Sequence, residues 1–267
     1  LEPTTRAADG AFASMYLLVR TFVASLQAVD SVDALTDLAT HEVRRMTGFG
    51  RVTIHRLDAD GSGRVLSEAR DAAYDSLLGM QLPGTGLTPE ARDVQVRNPL
   101  RLVADIDDAP VRLVPARDPA TGHAADLSYA ALRAASAAQR ETMRRMGARA
   151  ALTLTLTVRG RLWGMIECHH ASPLTLAFEV RLACEHLAQI LSLQIEAKED
   201  REEIAHRLEL RRILVRLLAA MTDRDNFLDG LLEHPADLLR FASASGAAIV
   251  HRGECVRVGE APDADSI

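Results

Sequence analysis

Between residues 150 and 158 apolar and hydroxyl side chains alternate strictly. Leu152, Leu154 and Leu156 fall between Thr153, Thr155 and Thr157. A period of two predicts a strand with one face on a core. Arg159-Gly160 then predicts a tight turn, and 161–170 the returning strand of an antiparallel hairpin. The facing of that return strand stays open. A plain two-residue loop sets Trp163, Met165, Glu167 and His169 on the Leu face, whereas one bulged residue sets them on the Thr face. The stretch "RVTIHRLDADGSGRVLSEAR", residues 51–70, predicts a strand, a polar turn at 58–63 and a second strand.

Elsewhere the period lengthens to that of a helix. Phe12, Met15, Tyr16, Val19, Phe22, Val23 and Leu26 predict a helix over 11–29, with Asp9 as its cap. A second helix begins at Ser31 or Asp33 and ends at Gly48, and a third runs over 137–147. The stretch 110–130, with Pro110, Pro115 and Pro119, reads as loop. From Leu174 to Thr222 no proline or glycine interrupts the chain. Leu187, Ile190, Leu191, Ile204, Leu208, Val215 and Leu218 follow a spacing near 3.5, which predicts one long helix of roughly 70 Å. Such a helix leaves one core and enters another, or pairs with a copy of itself. The alternative is two shorter helices broken in the charged stretch "EAKEDREE" at 196–203. Residues 225–259 read as a short helix, a turn and a β-hairpin. Helices and strands in separate runs predict an α+β fold around an antiparallel sheet.

Composition narrows the function classes. A chain of 267 residues with 48% hydrophobic content can bury one or two ordinary cores, and with 4% aromatics these are mainly aliphatic. A formal net charge of −6 argues against a nucleic-acid surface. No apolar run is long enough to span a membrane. Three cysteines, Cys168, Cys184 and Cys255, have no metal-ligand spacing and fit a reducing cytoplasm. "LEPTTRAADG" at the start and "GEAPDADSI" at the end lead to the expectation of a piece cut from a longer protein.

Two stretches invite a chemical reading. In "LPGTGLTPEAR", residues 82–92, Gly-Thr-Gly resembles a phosphate nest, but the lysine and following helix of a P-loop are not expected there. Cys168, His169 and His170 contain metal-ligating types, yet neighbours on a strand point to opposite faces and do not easily share one ion. No nucleophile–base pair, metal set or carboxylate pair stands out, so no enzymatic activity is expected within this chain.

Longer motifs carry a resemblance. "RNPLRLVADID" at 97–107, "DLSYAALRAAS" at 126–136, "MRRMGARAALTLTLTVRGRLWGMIECHH" at 143–170 and the opening "LEP" resemble the bacterial phytochromes, in that family's order and spacing. The resemblance implies a linker from an upstream PAS domain at 1–10 and a GAF domain at 11–173 with a six-stranded antiparallel sheet flanked by helices. It further implies a connecting helix at 174–222 and the N-terminal part of a second GAF-like (PHY) domain at 223–267. It implies parallel homodimers through GAF helices and the connecting spine, and the spacing along the chain then predicts helices 11–29 and 174–218 as the contributors, with Leu187, Ile190, Leu191, Ile204, Leu208 and Leu218 as the seam. A downstream output domain, such as a histidine kinase or cyclase, would receive the signal.

The resemblance also implies a bilin pocket, and one much altered. The family's Pro-x-Ser-Asp-Ile-Pro loop corresponds to Pro83-Gly84-Thr85-Gly86-Leu87-Thr88, so its aspartate falls on Gly86 and its isoleucine on Leu87. Its pyrrole-side histidine falls on Gln139. Ala138 stands where plant and cyanobacterial relatives link their bilin. His55, Gln95 and Thr142 stand where the family has tyrosines, Leu82 where it has another aromatic, and Ala151 and Thr153 where it has small hydroxyls. Arg101 and Arg133 match the propionate-clasping arginines, Ser136 a propionate-side serine, and His169 the histidine at the D-ring carbonyl. A cationic tetrapyrrole wants a compensating carboxylate, which positions 86 and 139 do not supply. The expectation is therefore a cytoplasmic sensory module with impaired or lost bilin binding and no cofactor. A working biliverdin photoreceptor with an altered pocket is the alternative.

Overall fold

A computed structural model describes residues 20–263 except 27, 59, 84–88, 110, 128, 133 and 225. The linker at 1–10, most of the helix expected at 11–29, and Arg133, Gly86 and Leu87 lie outside the described residues. Two compact units divide the chain, one reaching Lys198 and one starting at Glu199.

Six strands form the sheet of the first unit: β1 Arg51–Leu57, β2 Gly63–Arg70, β3 Gln81–Leu82, β4 Leu100–Val103, β5 Ala150–Val158 and β6 Arg161–His170. Their spatial order is β3-β2-β1-β6-β5-β4, and the pairings are antiparallel. The β5–β6 hairpin turns through Arg159 (φ 51°) and Gly160 (φ 72°), two positive φ angles that match the twist of the strands. The register then slips, so that Thr157 pairs with Leu162 and Leu156 with Gly164. Trp163 is the extra residue of this bulge and joins the core. From Gly164 onward the strand is reversed relative to a plain hairpin. Met165, Glu167 and His169 therefore pair with Thr155, Thr153 and Ala151, on the Thr face. Gly164 has no room for a side chain, because a Cβ there would lie 2.1 Å from the carbonyl oxygen of His55.

The Leu face carries the main core. Val52, Ile54, Leu100, Leu102, Leu152, Leu154, Leu156, Ile166 and Cys168 are buried together with Phe22 and Leu26, from the helical segment α1 at 20–26. Helix α2, Val32–Thr47, adds Leu35, Ala39 and Val43 at four-residue spacing. Its Ser31 cap accepts from Ala34 N at 3.2 Å, and Gly48 ends it in the left-handed region at φ 71°. Helix α3, Pro89–Arg97, follows the Gly-Thr-Gly stretch, so the expectation that no helix follows it is corrected. The segment "PEARDVQVR" has little apolar periodicity, and its one sequence signal is proline at the first helical position. Helix α4 spans Ala137–Arg145.

The long helix α5 runs unbroken from Phe178 to Thr222. The alternative of a break at 196–203 is thus not what the chain adopts. The start is later than the expected 174. Leu174 instead donates its N–H to the Ala104 carbonyl at 2.9 Å and packs with Leu176 against the core. The seam expected from periodicity also needs correction. Leu187 and Leu191 are fully buried in the first unit's own core with Cys184, Ala188 and Ile195, and Ile190 packs against it. Only the C-terminal part of that seam is open, with Ile204 at 57% and Leu208 and Leu218 at 51% exposure.

In the second unit, Ile213 and Leu217 of α5 are buried. Helix α6, Phe227–Leu232, is capped by Asn226, whose side chain accepts from Leu228 N. A second short helix, α7 Pro235–Ala242, was not legible as separate, although Pro235 marks its first turn. Asp237 takes a two-pronged hydrogen bond from Arg216, 2.8 Å on each arm. Strands β7 Gly246–His251 and β8 Glu254–Gly259 form the expected hairpin, turning through Arg252-Gly253, again with both φ positive.

Candidate functional site

The face opposite the main core is polar at its centre. Antiparallel partners share a face, and the registers align them in rungs across five strands. One rung reads Arg101, Thr153, Glu167, Thr53, Glu68. The rung on one side reads Val103, Ala151, His169, Arg51, Arg70, and on the other Thr155, Met165, His55, Val65. Four of the expected site residues, Arg101, Thr153, His55 and His169, thus meet on one surface. They come from four different strands.

The other two described candidates stand at the entry to α4. Ser136 is its cap and accepts from Gln139 N at 3.2 Å, and both residues are exposed. Met143 of α4 is buried in a second apolar cluster with Val103, Ile106, Ala135, Ala148 and Ala151. Because Val103 and Ala151 share the His169 rung, α4 covers the same face of the sheet. Helix α3 meets it too, since Thr155 Oγ1 donates to the Gln95 carbonyl at 3.1 Å. Thr142 is exposed and donates to the Ala138 carbonyl at 3.1 Å.

A short hydrogen-bond chain holds the centre. Thr53 Oγ1 lies 2.9 Å from His55 Nε2 and donates to the Glu167 carbonyl at 3.3 Å. A hydroxyl has one proton to give, so His55 Nε2–H is the donor to Thr53. The same Nε2 lies 3.4 Å from Glu167 Oε2. His169 is 6% exposed, and burial lowers its pKa to about 4, outweighing the opposing pull of Glu167. It is therefore a neutral hydrogen-bonding group at neutral pH. Arg51, 3% exposed, has its pKa lowered chiefly by burial, against the attraction of Glu68, Tyr74 and Glu167. Its guanidinium lies 5.2 Å from the Tyr74 ring centre. Among the described residues, His169 Nδ1, Arg51 Nε and Nη2, and Gln95 Oε1 are buried without a hydrogen-bond partner. Three side chains therefore bring unused donors and acceptors to or beside one surface.

Sequence reasoning missed Arg51 and the centrality of Glu167. Gln95, which stands where the family has a tyrosine, is half-buried. Cys168 faces the main core, where burial and the neighbouring Cys184 raise its pKa well above normal. His170 Nδ1 instead accepts from Gly50 N at 3.1 Å. The cysteine and both histidines therefore diverge.

An antiparallel six-stranded sheet with helices on its apolar face and a polar, helix-covered opposite face defines a GAF-type sensory domain. Residues 31–197 match the GAF domain family and residues 210–267 the phytochrome region. The chain is 32% identical over its whole length to cyanobacterial phytochrome A of Nostoc sp., covering 35% of that protein. It is 35% identical over 97% of its length to a bacteriophytochrome of Pseudomonas aeruginosa, covering 36% of it. A crystal structure of a bacteriophytochrome from the photosynthetic bacterium R. palustris superposes with a TM-score of 0.85 at 34% identity, covering all of this chain and 53% of that one. The wild-type photosensory core module of the Stigmatella aurantiaca phytochrome gives 0.82 at 34% identity, with the same coverage. The chain belongs to the phytochrome family. It spans about a third of the length of these curated relatives.

Proposed function

We propose that this chain is the GAF and early PHY portion of a phytochrome-like signalling protein, a cytoplasmic sensory module that passes its signal through a dimeric helical spine to an output domain further along. The observation that carries this reading is α5, a single helix that belongs to both units. Its first part is locked into the sensory core by Leu187, Leu191 and Ile195. Further along, Ile204, Leu208, Val215 and Leu218 are exposed at heptad spacing, the pattern of a seam awaiting a second helix. Rotation or a register shift of that seam is how such a bundle switches output.

The pocket reading follows from the exchanged residues. Gly86 cannot offer a carboxylate, and His55 and Gln95 replace ring-covering tyrosines, so bilin photochemistry is impaired. A second reading, a biliverdin photoreceptor that still works, is favoured by the unpartnered donors of Arg51 and the unpartnered Nδ1 of His169. The test is to express the full-length protein with biliverdin and record its absorption before and after red light. A strong far-red band that photoconverts defeats the impaired reading. A folded, pigment-free dimer defeats the second.

A further inference from the structure

Two acids stand on the central rung, and their situations differ. Glu68 is used up by its surroundings. It accepts from Ser76 Oγ at 2.7 Å and from Leu77 N at 3.1 and 3.2 Å, with Arg70 Nε at 3.4 Å. Glu167 has a half-buried side chain at the middle of the face, and His55 Nε2 at 3.4 Å is the nearest cationic or N–H group to its carboxylate among the described residues. A carboxylate has roughly four acceptor sites. Those of Glu167 are largely unspent by the protein and open toward the face of the sheet. The groups facing it are His55 and Arg51 from β1, His169 from its own strand, Glu68 from β2 and Arg101 from β4. His55 and Thr53 hold the rung in place and orient the acid, while Arg51 and His169 present unused polar atoms beside it.

We infer that Glu167 is the ligand-facing carboxylate of this pocket, accepting from the N–H groups of a flat conjugated heterocycle while Arg51 and His169 meet its oxygen-bearing end. A linear tetrapyrrole combines those features, with pyrrole N–H donors, carbonyl ends and carboxylate side chains. The inference rests on the reading that the polar face takes such a ligand. Its consequence is that the acid missing from position 86 has a counterpart on the sheet floor, delivered by the register slip at Trp163. An anionic Glu167 favours the protonated, cationic form of the ligand, which takes its proton from solvent.

The experiment uses the full-length protein loaded with biliverdin, titrated with pH while the pigment's absorption is followed. An opposite charge at close range shifts a pKa by about one to three units. The Glu167→Gln variant should therefore lower the midpoint of pigment protonation by about one unit or more, tenfold or more in the protonation constant. Glu167→Asp should restore much of the shift. Matching thermal melts of the pigment-free proteins establish that both variants fold. A midpoint unmoved in a pigmented Glu167→Gln protein overturns the inference and leaves standing the reading that the polar face takes biliverdin. Failure of the unmodified protein to take up biliverdin overturns the inference together with the second reading, and leaves the impaired reading standing.

Discussion

Replacing Leu191 by Ala tests which side of α5 belongs to the sensory core. Leu191 is 0% exposed, within the cluster that unites α2, α5 and the Leu face of the sheet. The change removes three carbons, about 2.4 kcal/mol at roughly 0.8 kcal/mol per buried methylene. A cavity in a tightly packed core brings the loss to about 3–4 kcal/mol. Against a total stability of about 5–15 kcal/mol for a domain, this is a large fraction. Leu208→Ala is the matched control on the same helix at 51% exposure, expected to change folding stability by about 0.5 kcal/mol or less. Guanidinium unfolding followed by circular dichroism reads both, and light scattering reads the oligomeric state. Leu191→Ala should lower the unfolding midpoint and, on the proposed dimer, leave association unchanged, whereas Leu208→Lys should weaken that proposed association with the midpoint of the first unit retained. A loss below about 1 kcal/mol for Leu191→Ala would refute the assignment of this helix face to the core.

Two further outcomes follow from strands β1 and β6. His169 titrates at about 4 when folded against 6.5 ordinarily, so the unfolded chain binds the extra proton first as pH falls. Its contribution is fully present above pH 6.5 and is lost between 6.5 and 4, up to about 3 kcal/mol in all. A His169→Gln variant should flatten stability against pH in that window, and an unchanged slope in urea melts would count against a buried neutral imidazole. Gly164→Ala places a methyl where the His55 carbonyl lies, at 2.1 Å, and should cost about 3 kcal/mol by forcing β1 and β6 apart. A variant that melts like the parent would show that the strands yield freely there.

Alternation and turn chemistry made both hairpins readable, because Arg159-Gly160 and the polar 58–63 turn interrupt clear period-two runs. The facing of β6 was not readable. A bulge at an apolar residue such as Trp163 leaves no mark in the alternation, yet it moves Glu167 and His169 from one side of the sheet to the other. Helix α3 escaped notice because it is too polar to show a stripe. The family's motifs pointed to Arg101, Thr153, His55 and His169. Arg51 and Glu167 acquire meaning only when β1 is seen between β2 and β6, a neighbour relation between strands more than 100 residues apart. The period on α5 did not separate Leu187 and Leu191, which meet their own sheet, from the exposed Ile204, Leu208 and Leu218, since a 3.5 period looks the same whichever surface the leucines meet.

The burial of two cysteines has a practical corollary for anyone wishing to watch this protein move. Cys168 and Cys184 are sealed in the core, the thiol of Cys184 pushed up to about 12 by burial, so neither offers a thiolate to a maleimide at neutral pH. Cys255, on the β7–β8 hairpin, is partly accessible. Within this chain, a fluorophore could therefore be placed on the second unit with none of its three cysteines removed, reporting on that hairpin while the GAF domain stays dark.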